Sequence, residues 1–370
     1  MSTPPSQPVP PATSAAAPSD AASATPLGIV RADDPAVLDQ LDALVERVGG
    51  KPGSFGARLV RDLLVTGLKL LPDGRDTGEI KLITTAVKEM RHAYRVFGRF
   101  KEPHKVTIFG SARTTEDHPD YKVTVEFSKL MAEAGWMIIT GAGGGIMAAG
   151  HVGPGRAASF GVAIRLPFET TANHVIAGDE KLIHFRYFFT RKLMFLSQAE
   201  AVVLCPGGFG TMDESYETLT LIQTGKAGMI PIVLLEGEGG QYWHSWDRWV
   251  KEQLLSRRLI NPEDLGLYYF AKDPADAVRH IVQFYRNYHS ARYVKDDYVI
   301  RMKQRLRAED VERLNEEFAV LVKEGKIVQR GPYDVEDEYL ELPRLAFTHT
   351  RSKFSVIRRL IDRINELAPG

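Results

Sequence analysis

The sequence predicts an α/β fold: a Rossmann-like parallel sheet with helices on both faces, an N-terminal helical region and a C-terminal α+β extension. Strand-like and helix-like segments alternate between residues 101 and 290, and the strand-like runs are continuously apolar, as in parallel strands buried on both faces. Glycine turns follow several of these runs, at 110, 141–145 and 207–210. Because ligands bind at the carboxyl ends of parallel strands, we expect these turns to converge on one crevice.

Two segments precede the alternating region. Residues 1–27 consist mainly of proline, alanine, serine and threonine with almost no large apolar side chain, which predicts a disordered tail. Residues 28–100 carry apolar residues at helical spacing, as in "DPAVLDQLDALVERVGG" and "EIKLITTAVKEMRHAYRVFGRF". We interpret them as a separate helical region.

Each predicted strand of residues 101–290 is a short apolar run, and a predicted helix follows most of them. Strands are predicted at "KVTIFGSA", "WMIITGAGGG", "FGVAIRL", "KLIHF", "EAVVLCPGG", "MIPIVLLE" and "LGLYYF". Helices are predicted at "YKVTVEFSKLMAEAG", "IMAAGHVGPGRAA", "RYFFTRKLMFLSQA", "TMDESYETLTLIQTG", "WHSWDRWVKEQLLSRR" and "DPADAVRHIVQFYRNY". The last helix starts with Asp-Pro, a common beginning for a helix.

Residues 291–370 form the predicted C-terminal extension, with a helix near 309–324 and a final helix from about residue 352. Basic residues occupy every second position in one stretch: Arg301, Lys303, Arg305 and Arg307. On a strand these side chains would share one face. Two interpretations stay open, a solvated edge strand protected by its charges and a site for an anionic nucleotide effector.

Composition excludes several classes of protein. The chain has 47 basic and 47 acidic residues, which argues against nucleic acid as a partner and against a DNA-processing role. No apolar run approaches the roughly 18 residues of a membrane-spanning helix, so we expect a soluble protein without a membrane partner. The single cysteine, Cys205, predicts a cytoplasmic setting without disulfides. His174 and His184 have no ligand-spaced partners, so we expect no metal site.

The glycine turns do not fit the common dinucleotide fingerprint. "GAGGGIMAAG" has glycines at 141, 143 and 145, but the third glycine of the fingerprint would stand at 146 or 148, where isoleucine and alanine are found; the alanine is a permitted variant. No acidic residue closes the following strand to hold a ribose. A P-loop is also absent, because no glycine loop ends in Gly-Lys-Ser or Gly-Lys-Thr.

The segment "PGGFGTMDE" is more specific. Its glycines allow the backbone to approach an anion, and the free N–H groups at the start of a helix favour a phosphate. This predicts a phosphate seat at Gly207, Gly208, Gly210 and Thr211. Thr211 and Glu214 also match a capping box, in which the glutamate only satisfies a backbone N–H. The spacing alone does not decide whether Glu214 only caps the helix or acts on a bound ligand.

The pair of motifs "FFTRKLMF" and "PGGFGTMDE" resembles the LONELY GUY (LOG) family of nucleoside 5′-monophosphate phosphoribohydrolases, long mislabelled as lysine decarboxylases. "FGSAR" and "GAGGGIM" are similar to the earlier glycine turns of that family, although Ala142 replaces a usual glycine. The resemblance covers roughly residues 101–290, and the flanking regions look like those of longer bacterial members.

The resemblance implies hydrolysis of the N-glycosidic bond of a nucleoside 5′-monophosphate to free base and ribose 5-phosphate, without a cofactor. It implies that Arg191 and Glu214 are catalytic. The base stays open among purines, pyrimidines and N6-substituted adenines such as those of cytokinin riboside monophosphates. Further nucleotide-binding candidates are Gly110, Ser111, Arg113, Gly144, Gly145, Met147 and Lys192.

Several alternatives remain open. A non-catalytic nucleotide or cofactor carrier could use the same fold. Lys192 alone does not make a pyridoxal enzyme, because no pyridinium partner is marked. Asp213 is interpreted as solvated or as a partner of the helix dipole, and Glu217 could be functional or structural. The apolar helix "RYFFTRKLMFLSQA" predicts a homodimer or larger homo-oligomer.

Overall fold

The computed structural model describes residues 30–102, 104–165 and 172–368, and the predicted tail over 1–27 lies outside them. The chain forms two compact units, which divide between Thr84 and Thr85. The sequence predicted a boundary near residue 100, whereas the two units divide within the helix Thr77–Phe97.

The first unit contains two helices and the beginning of a third: α1 (Pro35–Arg47), α2 (Phe55–Lys69) and α3 (Thr77–Phe97). Asp34 caps α1 by accepting a hydrogen bond from the N–H of Ala36, and the Ser54 side chain caps α2 in the same way. Arg61 of α2 lies 2.8 Å from Asp42 of α1. The predicted helices of this region are therefore present.

The described part of the second unit contains a seven-stranded parallel sheet with helices around it. Its strands are β1 (Lys105–Phe109), β2 (Met137–Thr140), β3 (Ser159–Ile164), β4 (Leu182–Phe185), β5 (Ala201–Leu204), β6 (Ile232–Leu234) and β7 (Tyr268–Phe270). The helices are α4 (Pro119–Glu133), α5 (Ile146–Val152), α6 (Phe188–Gln198), α7 (Phe209–Gln223), α8 (Tyr242–Trp249), which continues as a π-helical segment (Val250–Leu255), and α9 (Pro274–Phe284). The predicted Rossmann-like α/β fold is confirmed.

The strand order β4-β3-β2-β1-β5-β6-β7 reverses direction between β1 and β5. Every residue of β1, β2, β5 and β6 is buried, as their continuous apolar runs predicted. In open α/β sheets the ligand crevice lies outside the carboxyl ends of the strands at such a reversal. The crevice is therefore expected beside the turns that follow β1 and β5.

The C-terminal extension is an antiparallel sheet with two helices. Its described elements are β8 (Tyr288–Val294), β9 (Asp297–Met302), α10 (Ala308–Glu317), β10 (Val322–Arg330), β11 (Arg344–His349) and α11 (Phe354–Glu366), and the strand order is β10-β11-β9-β8. The helix predicted over 309–324 was too long, because the chain turns into β10 from Val322. The final helix begins at Phe354, close to the prediction.

The predicted basic stripe does not form. Arg301 is buried in β9 and lies 2.9 Å from Glu336, and the strand ends at Met302. Lys303 donates a hydrogen bond to the carbonyl of Tyr285, and Arg307 pairs with Asp310. Arg301 therefore does not share a strand face with the other three cations, and the stripe no longer supports an effector site.

The extension is continuous with the central sheet. Apolar side chains of α11 belong to the same buried cluster as the sheet strands: Val356, Ile357, Leu360, Ile361 and Ile364. Asn365 of the same helix accepts hydrogen bonds from the N–H groups of Asn287 and Tyr288 at 2.8 and 2.9 Å. No helix in the described ranges has the length and apolar character needed to cross a membrane.

Candidate functional site

The glycine turns after β1, β2 and β5 meet at the reversal point of the sheet. The N–H of Ser111 donates to the carbonyl of Pro206 at 3.0 Å, and the N–H of Ile146 donates to the carbonyl of Ser111 at 3.0 Å. Gly145 has a φ of 59°, and an added Cβ would collide with the Ser111 carbonyl. The convergence predicted from the sequence is therefore observed.

Arg191 lies against the second turn. An added Cβ at Gly141 would collide with Nη2 of Arg191 and lie 2.5 Å from Sδ of Met147. The Nε of Arg191 donates to the carbonyl of Val162 in β3 at 2.8 Å. Gly141, absent from the predicted site residues, is thus required for the position of the candidate catalytic arginine.

Ala142 holds a strained backbone in the same turn, with a φ of 65° where a glycine is usual. Its N–H donates to Oγ1 of Thr140 at 3.1 Å, and its carbonyl accepts from both nitrogens of Asn173. The buried ring of His151 bonds Thr140 and the Phe160 carbonyl, at 3.0 and 2.9 Å, and burial lowers the pKa of His151. This network, which no sequence motif marked, fixes the turn.

The predicted phosphate loop opens α7. Gly208 is the N-cap residue and makes no side-chain cap, so the first N–H groups of α7 are available to a ligand. An added Cβ at Gly207 would collide with Oγ1 of the buried Thr211. Gly210 has open space around its Cα. Backbone and hydroxyl donors are thus gathered at one helix start.

Glu214 lies one turn farther along α7. Its side chain is buried, and its Oε2 has no hydrogen-bond partner among the described residues. Burial raises the pKa of Glu214 from 4.5 to about 7, against the opposing effects of Lys192 and Arg191. The capping interpretation is wrong, because the N-cap is Gly208 and Thr211 is already inside the helix. A buried carboxylate oxygen that accepts no hydrogen bond is costly, so Glu214 is a candidate for chemistry.

Lys192 binds the acidic side chains of α7. Its Nζ lies 2.6 Å from Oδ2 of Asp213, 2.5 Å from Oε2 of Glu217 and 3.9 Å from Oε2 of Glu214. Burial acts to lower the pKa of Lys192, but the bonds to Asp213 and Glu217 outweigh it and raise that pKa. Asp213 is exposed as predicted, yet it also pairs with Lys192, which the sequence did not indicate.

The other predicted residues lie around the glycine turn that follows β1. Ser111 and Arg113 line a cleft of about 320 Å³ together with Gly207. Arg113 is exposed, and its N–H donates to Oγ of Ser111 at 3.1 Å. A Cβ at Gly110 would collide with Ile146, whereas one at Gly144 would lie 3.5 Å from the nearest atom, the Ala112 carbonyl oxygen. Within the described ranges, no group of histidine, cysteine and acidic side chains forms a potential metal site.

Sequence reasoning missed an aromatic cleft beside the phosphate loop. Tyr216, Tyr242, Trp246 and Trp249 line this open cleft of about 580 Å³ with Met212. The hydroxyl of Tyr242 donates to the Gly207 carbonyl at 2.6 Å. The aromatic run "YWHSW" was the available signal, but its tryptophans were interpreted only as part of a predicted helix.

Comparison with known proteins yields one family match. A family model described as "Possible lysine decarboxylase" matches residues 145–281, which include Arg191, Lys192, Glu214 and the phosphate loop. That description agrees with the older label of the family that the motifs resemble. No curated protein matches the chain significantly.

Several solved structures show weak similarity. The molybdenum cofactor carrier protein of Chlamydomonas reinhardtii is 20% identical, with a TM-score of 0.35, over 49% of this chain and 98% of that one. The molybdenum cofactor binding protein of Rippkaea orientalis is 20% identical, with a TM-score of 0.34, over 49% and 96%. DNA processing protein A of Helicobacter pylori is 12% identical, with a TM-score of 0.35, over 49% and 81%. These values are too low to transfer a ligand or an activity.

The raised pKa of Glu214 predicts a measurable effect on stability. The folded chain holds this proton more tightly than the unfolded chain, so ionisation between about pH 4.5 and pH 7 lowers the free energy of unfolding. Glu214→Gln should escape this loss, on the order of 3 kcal/mol, so its advantage over wild type should grow from about pH 5 to pH 8. Urea denaturation at several pH values measures the difference.

Glu126→Gln is the matched control, because Glu126 is exposed on α4. Its free energy of unfolding should stay within about 0.5 kcal/mol of wild type at each pH. A Glu214→Gln curve parallel to wild type across this range would contradict the raised pKa.

Proposed function

We propose that this chain hydrolyses the N-glycosidic bond of a nucleoside 5′-monophosphate and releases the free base and ribose 5-phosphate. The observation that carries the proposal is the buried carboxylate of Glu214, whose Oε2 accepts no hydrogen bond from the described residues, one helical turn beyond the phosphate loop. The family match over residues 145–281 supports a catalytic role for the same segment.

The phosphate would bind at the start of α7. The N–H groups of residues 208–211 and the hydroxyl of Thr211 supply donors there, and the helix dipole favours negative charge. Lys192 of the neighbouring helix α6 offsets part of the negative charge that Asp213 and Glu217 place on α7. With the phosphate held at the helix start, the ribose of the same molecule would extend toward Glu214.

Glu214 would act on the sugar. Cleavage of an N-glycosidic bond passes through an oxocarbenium-like sugar, and a nearby carboxylate stabilises that positive charge. With a pKa of about 7, Glu214 is suited to accept the proton of the attacking water near neutral pH. The water oxygen bonds to the anomeric carbon and the bond to the base nitrogen breaks. The base leaves with the electron pair and takes a proton from solvent, and Glu214 returns its proton to solvent.

Arg191 would orient the substrate and balance its negative charge. Its guanidinium is held by the Val162 carbonyl and lies against Gly141 and Met147. A planar guanidinium fixed in this way can bind a phosphate or the leaving base in a defined geometry. Met147 lies at the same point, where it could contact the base.

A homo-oligomer remains part of the proposal. Large apolar side chains of α6 are exposed, namely Phe188, Phe189 and Leu193. A second copy of the chain could cover them, which agrees with the assembly predicted from the sequence.

Substitution of the proposed catalytic residues tests the activity. Glu214→Gln and Arg191→Ala should each lower base release at least roughly 100-fold, because each removes a group that acts in the transition state. Glu126→Gln should retain wild-type turnover. Chromatography of free base from a panel of nucleoside 5′-monophosphates measures the rate. If the wild-type chain binds these nucleotides but leaves them intact, the carrier alternative replaces the enzyme.

The phosphate seat makes a separate prediction about substrates. Two charge-assisted hydrogen bonds to phosphate contribute roughly 3 kcal/mol or more. The value of kcat/KM for a nucleoside 5′-monophosphate should therefore exceed that for the corresponding nucleoside by at least about 100-fold. Steady-state kinetics on AMP and adenosine give the ratio, and equal values for the two would remove the phosphate seat.

A further inference from the structure

We propose that Tyr242 is a positioning residue that orients the Gly207–Gly208 peptide so that its N–H is directed toward the bound phosphate. This inference rests on the phosphate seat of the proposed function and adds a residue outside its motif. Tyr242 lies on α8, whereas the phosphate loop opens α7.

The Tyr242 hydroxyl is held firmly in place. It donates to the Gly207 carbonyl at 2.6 Å, and the N–H of Tyr242 donates to Oε2 of Glu236 at 2.8 Å, just after β6. The ring packs edge-on against the buried ring of Trp243, with centroids 4.9 Å apart. The hydroxyl therefore has a fixed position relative to the sheet.

The hydrogen bond from Tyr242 to the Gly207 carbonyl fixes the orientation of the Gly207–Gly208 peptide. In a trans peptide the C=O and N–H groups point in opposite directions. Because the carbonyl of Gly207 is directed at Tyr242, the N–H of Gly208 is directed away from Tyr242. The turn after β1 also lies close to Gly207, since an added Cβ at Gly207 would be 3.0 Å from the Ser111 nitrogen.

The two glycines make such a restraint necessary. Glycine adopts positive and negative φ with similar ease, so a Gly-Gly peptide can rotate through 180° at little cost. A rotated peptide would present its carbonyl oxygen to the phosphate and repel it. Larger residues cannot stiffen the loop at Gly207, because a Cβ there would collide with Thr211. A hydrogen bond from outside the loop therefore performs this function.

The donor remains available at neutral pH. Burial raises the pKa of Tyr242 and outweighs the effect of its bond to Gly207. The hydroxyl therefore stays protonated.

Tyr242→Phe removes this single hydroxyl and keeps the ring. Tyr216→Phe is the matched control, because the Tyr216 hydroxyl lies in the same aromatic cleft but accepts a hydrogen bond from the indole N–H of Trp246, at 2.9 Å, rather than contacting the loop. Isothermal titration with ribose 5-phosphate, AMP and adenosine measures affinity, with every variant combined with Glu214→Gln so that AMP is not cleaved, and melting temperatures check the fold. Tyr242→Phe should weaken ribose 5-phosphate and AMP about 10-fold, the effect of one charge-assisted bond, and leave adenosine unchanged.

The kinetic readout separates orientation from general damage to the fold. For AMP hydrolysis, Tyr242→Phe should raise KM more than it lowers kcat, whereas Tyr216→Phe should change neither. Equal affinities of the two variants for ribose 5-phosphate would overturn the role of Tyr242 alone. A loss of adenosine affinity as large as the loss of AMP affinity would also overturn it. If the wild-type chain binds no ribose 5-phosphate, the phosphate seat itself is wrong and this inference is overturned with it.

Discussion

Helix α7 carries both the Glu214 carboxylate and the loop where a phosphate would bind. The site therefore depends on limiting the repulsion between these two negative charges. Glu214 lies a single turn from the loop that opens α7, where a phosphate would bind. The Nζ of Lys192 lies 3.9 Å from Oε2 of Glu214 and forms ion pairs with Asp213 and Glu217. Burial, in turn, raises the pKa of Glu214 to about 7. The carboxylate can therefore gain or lose its charge near neutrality, which a solvated glutamate could not do.

The position of α7 is fixed by elements outside the motifs. At its beginning, Tyr242 of α8 binds the Gly207 carbonyl. At its end, Nε2 of Gln223 donates to Oδ2 of Asp264 at 2.5 Å, and the hydroxyl of Ser355 on α11 donates to the other oxygen of Asp264. The C-terminal extension thus supports the helix that carries the candidate base. Its apolar contacts with the sheet make it part of the same unit.

The parallel sheet and its glycine turns could be predicted because their signals are local: apolar runs for buried strands, and glycines where backbones approach closely. The C-terminal extension was predicted only as α+β, and strand β10 was not predicted, because it exposes most of its residues and buries Ile327. Arg301 seemed to be a surface cation, yet Glu336, which is distant in sequence, pairs with it in the interior. The lack of a hydrogen bond to Oε2 of Glu214 also depends on tertiary packing, which spacing along a helix does not reveal.

The most direct test of this account is the pH dependence of kcat/KM for base release from the best-cleaved nucleoside 5′-monophosphate. If ionised Glu214 is the base, the rate should rise about tenfold per pH unit below its pKa and level off above about pH 7. The rise should disappear in Glu214→Gln together with the activity. A wild-type profile that is flat between about pH 5 and pH 8 would contradict the assignment of Glu214 as the catalytic base.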